Sequence, residues 1–243
     1  MRIVVTADVH SNLEAFEAVL SDARERGGFE AVWSLGDLVG YGPDPGRCIQ
    51  LLQTIPHVAI AGNHDYAATG TIGTEDFNPY AAAAAEWTAG QLSLEEQVWL
   101  TSLSAVQIVG EFTLTHGSLI DPVWDYLISS EGADAHLTRQ TTPYGFVGHT
   151  HIPRIFYAAQ PTADAELLTE DEALALTERR FVANPGSVGQ PRDGDPRAAY
   201  ALLDTTQRRF EPRRVAYDIE RTQAKMRAAG LPHYLVERLS RGR

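Results

Sequence analysis

Five times within the first 151 residues, an apolar run of strand type ends directly in a short polar motif. Ile-Val-Val-Thr-Ala runs into Asp8-Val-His10, and Ala-Val-Trp-Ser-Leu into Gly36-Asp37. Val-Ala-Ile-Ala runs into Gly62-Asn63-His64-Asp65, Phe-Thr-Leu-Thr into His116-Gly117, and Tyr-Gly-Phe-Val into Gly148-His149-Thr150-His151. Strand ends of an α/β sheet share one rim, and ligand sites form there. The pattern therefore predicts that residues far apart in sequence converge at one place.

The rest of the chain fits that frame. Ile3–Ala7 reads as the first strand. Ser11 or Asn12 caps a helix whose apolar residues Leu13, Phe16, Val19, Leu20 and Ala23 recur at helical spacing, ended by Gly27 and Gly28. Ala31–Leu35 and Val58–Ala61 follow as strands, around a Gly/Pro-rich loop at Gly40–Gly46 and a short helix at Ile49–Leu52. Asn78-Pro79 and the capping box Ser93-Leu-Glu-Glu96 open two more helices. Strands then dominate: Val106–Val109, Phe112–Thr115, Tyr144–Val147, Ile152–Tyr157, Phe181–Ala183, Ala199–Leu203 and Arg208–Tyr217. Two short helices, split by Gly230-Leu-Pro232, close the chain. With no repeat and no linker, residues 1–243 read as one domain. The expected fold is α/β: a four-layer sandwich of two packed mixed β-sheets flanked by helices.

Charge narrows the partners. The formal net charge of −12 opposes docking on long nucleic acid or an anionic membrane. Basic residues thicken only at Arg221, Lys225, Arg227, Arg238, Arg241 and Arg243, expected to form a solvated helix face and a frayed tail. The acidic run from Asp164 to Glu178 is expected to be a solvated excursion. Cys48 is the single cysteine, so no internal disulfide can form. No apolar run reaches a membrane-spanning length, and the first motif begins too early for a cleavable leader. A cytoplasmic, soluble protein is the expectation.

The strand-end residues have the chemistry of a metal centre. Asp8, His10, Asp37, Asn63, His116, His149 and His151 offer two carboxylates, one amide oxygen and four imidazoles, with no thiolate. That set suits Mn, Fe, Co, Ni or Zn and is too rich in imidazole for Ca or Mg. Seven ligands exceed what one tetrahedral ion takes. They suit two divalent transition-metal ions sharing a carboxylate, about 3.5–4 Å apart. Of eight histidines, five sit in these motifs; His57, His136 and His233 read as ordinary structural or surface residues.

This order of motifs resembles the calcineurin-like metallophosphoesterase superfamily, whose pattern is Asp-x-His, Gly-Asp, Gly-Asn-His-Asp/Glu, His and Gly-His-x-His. Asn184-Pro-Gly-Ser-Val-Gly189 looks like the family's late strand-turn, and the compact size is similar to its small prokaryotic phosphodiesterase-like branch. The resemblance implies one ion on Asp8, His10, Asp37 and His151, and a second on Asp37, Asn63, His116 and His149, with Asp37 bridging. It implies that His64 faces the leaving group and that Asp65 orients His64. Two dications less two carboxylates leave the site at about +2. Such a field suits hydrolysis of a small phosphoester, as a phosphodiesterase or a phosphatase, by a metal-bridging hydroxide. Manganese is a natural first metal.

Tyr41, Trp124, Tyr126 and Arg192 are candidates for the substrate wall, although Tyr41 reads rather better as packing over the rim, Trp124 and Tyr126 equally as core, and Arg192 better as a surface arginine. The acidic balance favours a diester or nucleotide-like compound over a polymer, and disfavours a DNA-repair nuclease. A phosphoprotein phosphatase stays open. The rival class is a scaffold of the same fold that acts by binding proteins, for which an intact ligand set and His64 are unnecessary.

Overall fold

The computed structural model describes residues 1–170 and 172–243. β1 (Arg2–Thr6), α1 (Leu13–Glu25), β2 (Ala31–Leu35), α2 (Pro45–Gln53) and β3 (His57–Ile60) form two strand–helix–strand units. A helical stretch follows: α3 (Asn63–Ala68), α4 (Pro79–Gln91) and α5 (Leu94–Thr101). Next come β4 (Val106–Val109), β5 (Phe112–Thr115), α6 (Ser130–Arg139), β6 (Tyr144–Phe146), β7 (Arg154–Tyr157), β8 (Asp164–Leu167), β9 (Leu174–Ala175) and β10 (Phe181–Asn184). β11 (Ala198–Asp204), β12 (Arg209–Val215), α7 (Ile219–Ala228) and α8 (His233–Leu239) complete the chain.

These strands make two six-stranded mixed sheets, in the orders β3-β2-β1-β11-β12-β9 and β4-β5-β6-β10-β7-β8. β1, β2 and β3 run parallel to one another, as do β5, β6 and β10. β1 is buried on both sides because its alternate residues serve different layers. Ile3 and Val5 join Trp33, Leu35, Phe112, Phe146 and Phe181 in the core between the sheets. Val4 faces Phe16, Val19 and Leu20 of α1 on the outer side. Leu137 of α6 packs with Phe156 and Val182 on the outer face of the second sheet. The four layers match the expected sandwich.

Three expectations need correction. Residues 130–139, where the sequence pattern named no element, form α6, whose first turn is capped by Ser129 Oγ accepting from Gly132 N at 3.1 Å. The acidic excursion contains an edge strand: β8 is exposed along its length and pairs antiparallel with β7. The C-terminal basic residues are not merely solvated. Lys225 reaches Glu14 at 2.6 Å and Asp44 at 2.7 Å, and Arg221 reaches Glu14 at 3.1 Å, so α7 is tied to α1 and to the loop before α2. Among the described residues, no helix is long and apolar enough to cross a membrane.

Candidate metal centre

The loops leaving β1, β2, β3, β5 and β6 meet at one rim, and the backbone there is bent hard. Among the described residues, eight non-glycine residues have positive φ, and seven stand at this rim: Asp8, His10, Ser11, Asp37, Tyr41, His149 and His151. Each such conformation costs on the order of 1–3 kcal/mol and persists only where its surroundings enforce it. Here the β1 and β2 loops are zipped together by Asp8 N to Gly36 O at 3.1 Å, His10 N to Asp37 O at 2.9 Å and Ser11 N to Leu38 O at 3.0 Å. The Asn184–Gly189 turn buttresses them. Ser187 Oγ donates to Asp8 O at 2.8 Å, and Asn184 Nδ2 donates to Gly148 O at 2.6 Å. At Gly62 a Cβ would stand 2.1 Å from Asp37 Oδ1, so a side chain there would displace the carboxylate.

The seven expected ligand residues come together, all buried. His10 Nε2 lies 3.1 Å from His151 Nε2, and His151 Nε2 lies 3.4 Å from Asp8 Oδ1. On the other side, His116 Nε2 is 3.1 Å from His149 Nδ1 and 3.3 Å from Asn63 Oδ1. Asp37 Oδ2 stands between the two groups, 3.6 Å from His10 Nε2 and 3.3 Å from His116 Nε2. Asp8, His10 and His151 form one donor group; Asp37, His116 and His149 form another.

The outer ring nitrogens orient the inner ones. His10 Nδ1 donates to Val39 O at 3.1 Å, His116 Nδ1 to Leu35 O at 2.8 Å, His149 Nε2 to Trp124 O at 3.2 Å and His151 Nδ1 to Gln190 O at 2.6 Å. With those protons outward, the inner nitrogens of neutral rings present lone pairs to one another. Lone pairs at such distances do not bond without a proton or a cation between them, and outward carbonyl partners are the usual support of metal-binding imidazoles.

Burial governs the protonation. It pushes His149 down to about 3 and His10 and His151 well below the ordinary value, so these rings are neutral. It drives Asp8 up to about 7, against the pull of His116. For His116 burial works against charge, but the Asp37 carboxylate overrides it and lifts the ring to about 9. Burial would raise Asp37 too, yet His116 and His64 hold it below the carboxylate range. In the metal-free protein one proton on His116 thus takes a place suited to a cation.

His64 and Asp65 are both buried at the same rim. The His64 ring packs against Tyr41, with centroids 4.2 Å apart, and its backbone N–H donates to Asp37 Oδ1 at 2.9 Å. Its Nδ1 is buried without a hydrogen-bond partner. Burial pushes its pKa down to about 4. A third donor group joins His64 to His10 and Asp37, so proximity alone would admit it as a ligand. Asp65 does not orient the His64 ring as expected. Its carboxylate accepts from Val39 N at 3.0 Å and Gly62 N at 2.9 Å, fixing the backbone on which Asn63 and His64 stand.

A narrow cleft of about 70 Å³ opens over these groups, and Tyr41, Trp124, Tyr126 and Arg192 all line it. Tyr126 is about half exposed and stacks on His149, with centroids 3.9 Å apart. Tyr41 is buried and packs edge-on to His10. Arg192 is not a plain surface arginine. It is half-buried, and its guanidinium carbon lies 6.0 Å from the Tyr41 ring centroid. Sequence reading missed Phe77, which meets both His64 and Trp124. Its distance in sequence from any polar motif left no signal.

Comparison with known proteins gives the family. Residues 1–208 match the model of the calcineurin-like phosphoesterase superfamily domain. An uncharacterized protein of Methanocaldococcus jannaschii is 37% identical over 250 residues, covering 99% of this chain and 98% of that one. A symmetrical bis(5'-nucleosyl)-tetraphosphatase of Glaesserella parasuis is 29% identical over 130 residues, 51% of this chain and 47% of its own. Among solved structures, a metallophosphoesterase from Sphaerobacter thermophilus is 43% identical with a TM-score of 0.90, covering 100% of this chain and 99% of its own.

Proposed function

The chain belongs to the calcineurin-like phosphoesterase superfamily, and on that premise we propose that it hydrolyses small phosphoesters with two divalent transition-metal ions. The observation that carries this reading is Asp37 Oδ2, buried between two groups of inward-facing imidazoles and met by ring nitrogens, His116 Nε2 at 3.3 Å and His10 Nε2 at 3.6 Å. A buried carboxylate so placed is costly unless cations face it. Asp8, His10, Asp37 and His151 would hold one ion, and Asp37, Asn63, His116 and His149 the other. Such ions would supply the charge that binds phosphoryl oxygens and makes water a nucleophile at neutral pH.

The chain's own residues do the rest. Four backbone carbonyls keep the imidazoles in the required tautomers. His64 faces the cleft from the side of Tyr41 and Phe77 and serves the leaving-group oxygen. Its ring is neutral in the free protein, and an anion bound beside it raises its affinity for the proton it gives up. The cleft admits little more than a phosphoryl group, so the remainder of the substrate lies over Trp124 and Tyr126. A nucleotide-like compound suits that aromatic wall. The partial likeness to a bis(5'-nucleosyl)-tetraphosphatase supports the same choice, and the net charge of −12 disfavours long nucleic acid. Residues 1–243 are taken as one domain.

A metal-by-substrate panel tests the proposal. Protein loaded with Mn, Fe, Co, Ni or Zn should approach two equivalents of metal by elemental analysis. It should also hydrolyse aryl phosphoesters and nucleotide-like phosphoesters. Absence of hydrolysis across all metals and phosphoesters would shift the weight to the scaffold reading.

A further inference from the structure

The loop that follows the Asn184–Gly189 turn is tied to a metal-facing histidine at two points. His151 Nδ1 donates to Gln190 O at 2.6 Å, and Arg192 N donates to His151 O at 3.3 Å. Gln190 N donates to Ser187 Oγ at 2.8 Å, and Ser187 Oγ donates to Asp8 O, so the loop shares the support of the β1 end. These ties hold Arg192 in the wall of the cleft. Its guanidinium carbon lies 6.0 Å from the centroid of Tyr41, the ring that packs against both His10 and His64. A permanent cation is thereby fixed beside the two donor groups.

The protein leaves most of this guanidinium unmatched. A guanidinium has five N–H donors and no acceptor. Among the described residues Arg192 has no Asp or Glu partner at ion-pair distance; its Nη2 donates to the neutral Gln190 Oε1 at 3.1 Å, and its Nε is buried without a partner. Arg213 and Arg214 show the ordinary solution for a buried guanidinium in this chain, ion pairs with Glu211 and Asp193. Asp76 also lines the cleft but is exposed, so solvent and salt screen its charge. Arg192 is thus free to take an anion that enters the cleft.

Charge and room then discriminate among phosphoesters. Near neutral pH a phosphomonoester carries close to two negative charges on three peripheral oxygens, whereas a diester carries a single charge on two. A centre holding both ions would supply about +2, and Arg192 adds a third positive charge. A diester leaves that charge unmatched, while a monoester has a further oxygen and a further charge to give it. The fork of a guanidinium suits such oxygens. The cleft, at about 70 Å³, has room for little more than one phosphoryl group, so a second ester arm on the phosphorus would press on its walls. We infer that Arg192 is a specificity-determining residue that selects a phosphomonoester, a terminal doubly charged phosphoryl group, over a diester. This rests on the phosphoester reading of the cleft.

The test uses two probes whose phosphorus–carbon bonds cannot be hydrolysed. Phenylphosphonate has one arm and two charges, like a monoester; methylphenylphosphinate has two arms and one charge, like a diester. Their binding to the Mn-loaded full-length protein is measured by calorimetry at mildly alkaline pH, where the phosphonate is doubly charged. Arg192→Gln should weaken phenylphosphonate by about tenfold to a hundredfold, the size expected for charge-assisted contacts, and methylphenylphosphinate by no more than about threefold. Arg192→Lys, which keeps the charge without the fork, should lose less. Arg241→Gln, an exposed change of equal charge, should alter neither probe. The wild type should also turn over an aryl phosphomonoester with higher kcat/KM than a bis-aryl diester, and Arg192→Gln should narrow that gap. Equal losses for both probes, no loss for the phosphonate, or a wild-type preference for the diester would overturn the inference. Loss of metal in Arg192→Gln would make the residue a support of His151 and overturn it too. If the wild type binds neither probe better than Asp37→Asn does and hydrolyses no aryl phosphoester, the phosphoester reading fails, visibly and separately, and this inference falls with it.

Discussion

The two ends of the sheet sandwich make opposite use of polar groups. At the far end, around the starts of β5 and β6, an open cavity of about 560 Å³ is lined by Glu111, Tyr144, Arg180 and Arg208 among others. It is far larger than the cleft of about 70 Å³ at the metal-facing rim. Yet its polar groups are already matched. Arg208 donates to Tyr144 Oη at 2.6 Å and to Glu111 at 3.0 Å, Tyr144 donates to Thr177 O, and Arg180 donates to Leu137 O at 2.8 Å. At the rim, His64 Nδ1 is buried and unmatched, and Asp37 Oδ2 is met by ring nitrogens at 3.3 and 3.6 Å. Seven of the eight left-handed non-glycine residues among those described are also there; Arg208 is the eighth. Void size therefore does not locate the chemistry. Buried donors and acceptors left unsatisfied, on a backbone held in strained conformations, do.

The sharpest way to break this contrast is Asp37→Asn. At the rim it removes the carboxylate proposed to bridge the two ions, so kcat/KM should fall on the order of 10³-fold or more. Metal content should drop at both sites. Metal-free protein should melt at a lower temperature, because the buried His116 loses the carboxylate that offsets its charge. A variant that keeps two equivalents of metal would show that Asp37 does not bridge.

His64→Ala comes next. Turnover should drop by about 10²–10⁴-fold while metal content stays near two equivalents. The loss should shrink for good leaving groups, which need less protonation. Loss of metal with no separate rate effect would instead make His64 a ligand, as its proximity to His10 and Asp37 allows.

A third test concerns His136, a buried residue behind the His116 loop. Its Nδ1 accepts from Leu119 N at 3.1 Å, and its Nε2 pairs with Gln140 Oε1 at 3.1 Å. Burial holds its pKa at about 4, against 6.5 for the ordinary ring. The folded protein thus binds this proton only below about pH 4, while the unfolded chain takes it up below about 6.5. The stability at stake is fully present above pH 6.5 and is lost as pH falls toward 4, about 3 kcal/mol in all. Metal-free wild type and His136→Gln should therefore converge in unfolding free energy across that window. Parallel curves would mean that the ring is protonated in the fold.

The smallest effect belongs to the far end. Arg208→Ala should leave kcat/KM within about twofold, as surface changes away from a site usually do. A larger loss would mean that the wide cavity takes part in turnover.

The sequence determined the framework and the donor set. Apolar runs that end in His, Asp and Asn give strands whose ends must share a rim, because a parallel sheet aligns its strand ends. The period of Leu13, Phe16, Val19 and Leu20 likewise gave α1 with its Asn12 cap. α6 and β8 were missed because Ser130–Arg139 has few apolar residues and Asp164–Leu167 is an exposed edge; neither carries a strong burial pattern. Only the tertiary structure decided which atoms of the donors face inward. The tautomers depend on carbonyls such as Leu35 O and Gln190 O, which come from distant strands and loops. The same holds for Asp65, which serves the backbone of Val39 and Gly62, and for Tyr41, on which the C-terminal helix α8 is docked. Periodicity reports which face of an element is buried. Hydrogen-bond direction depends on where other elements place their atoms, and no local pattern of residues encodes that.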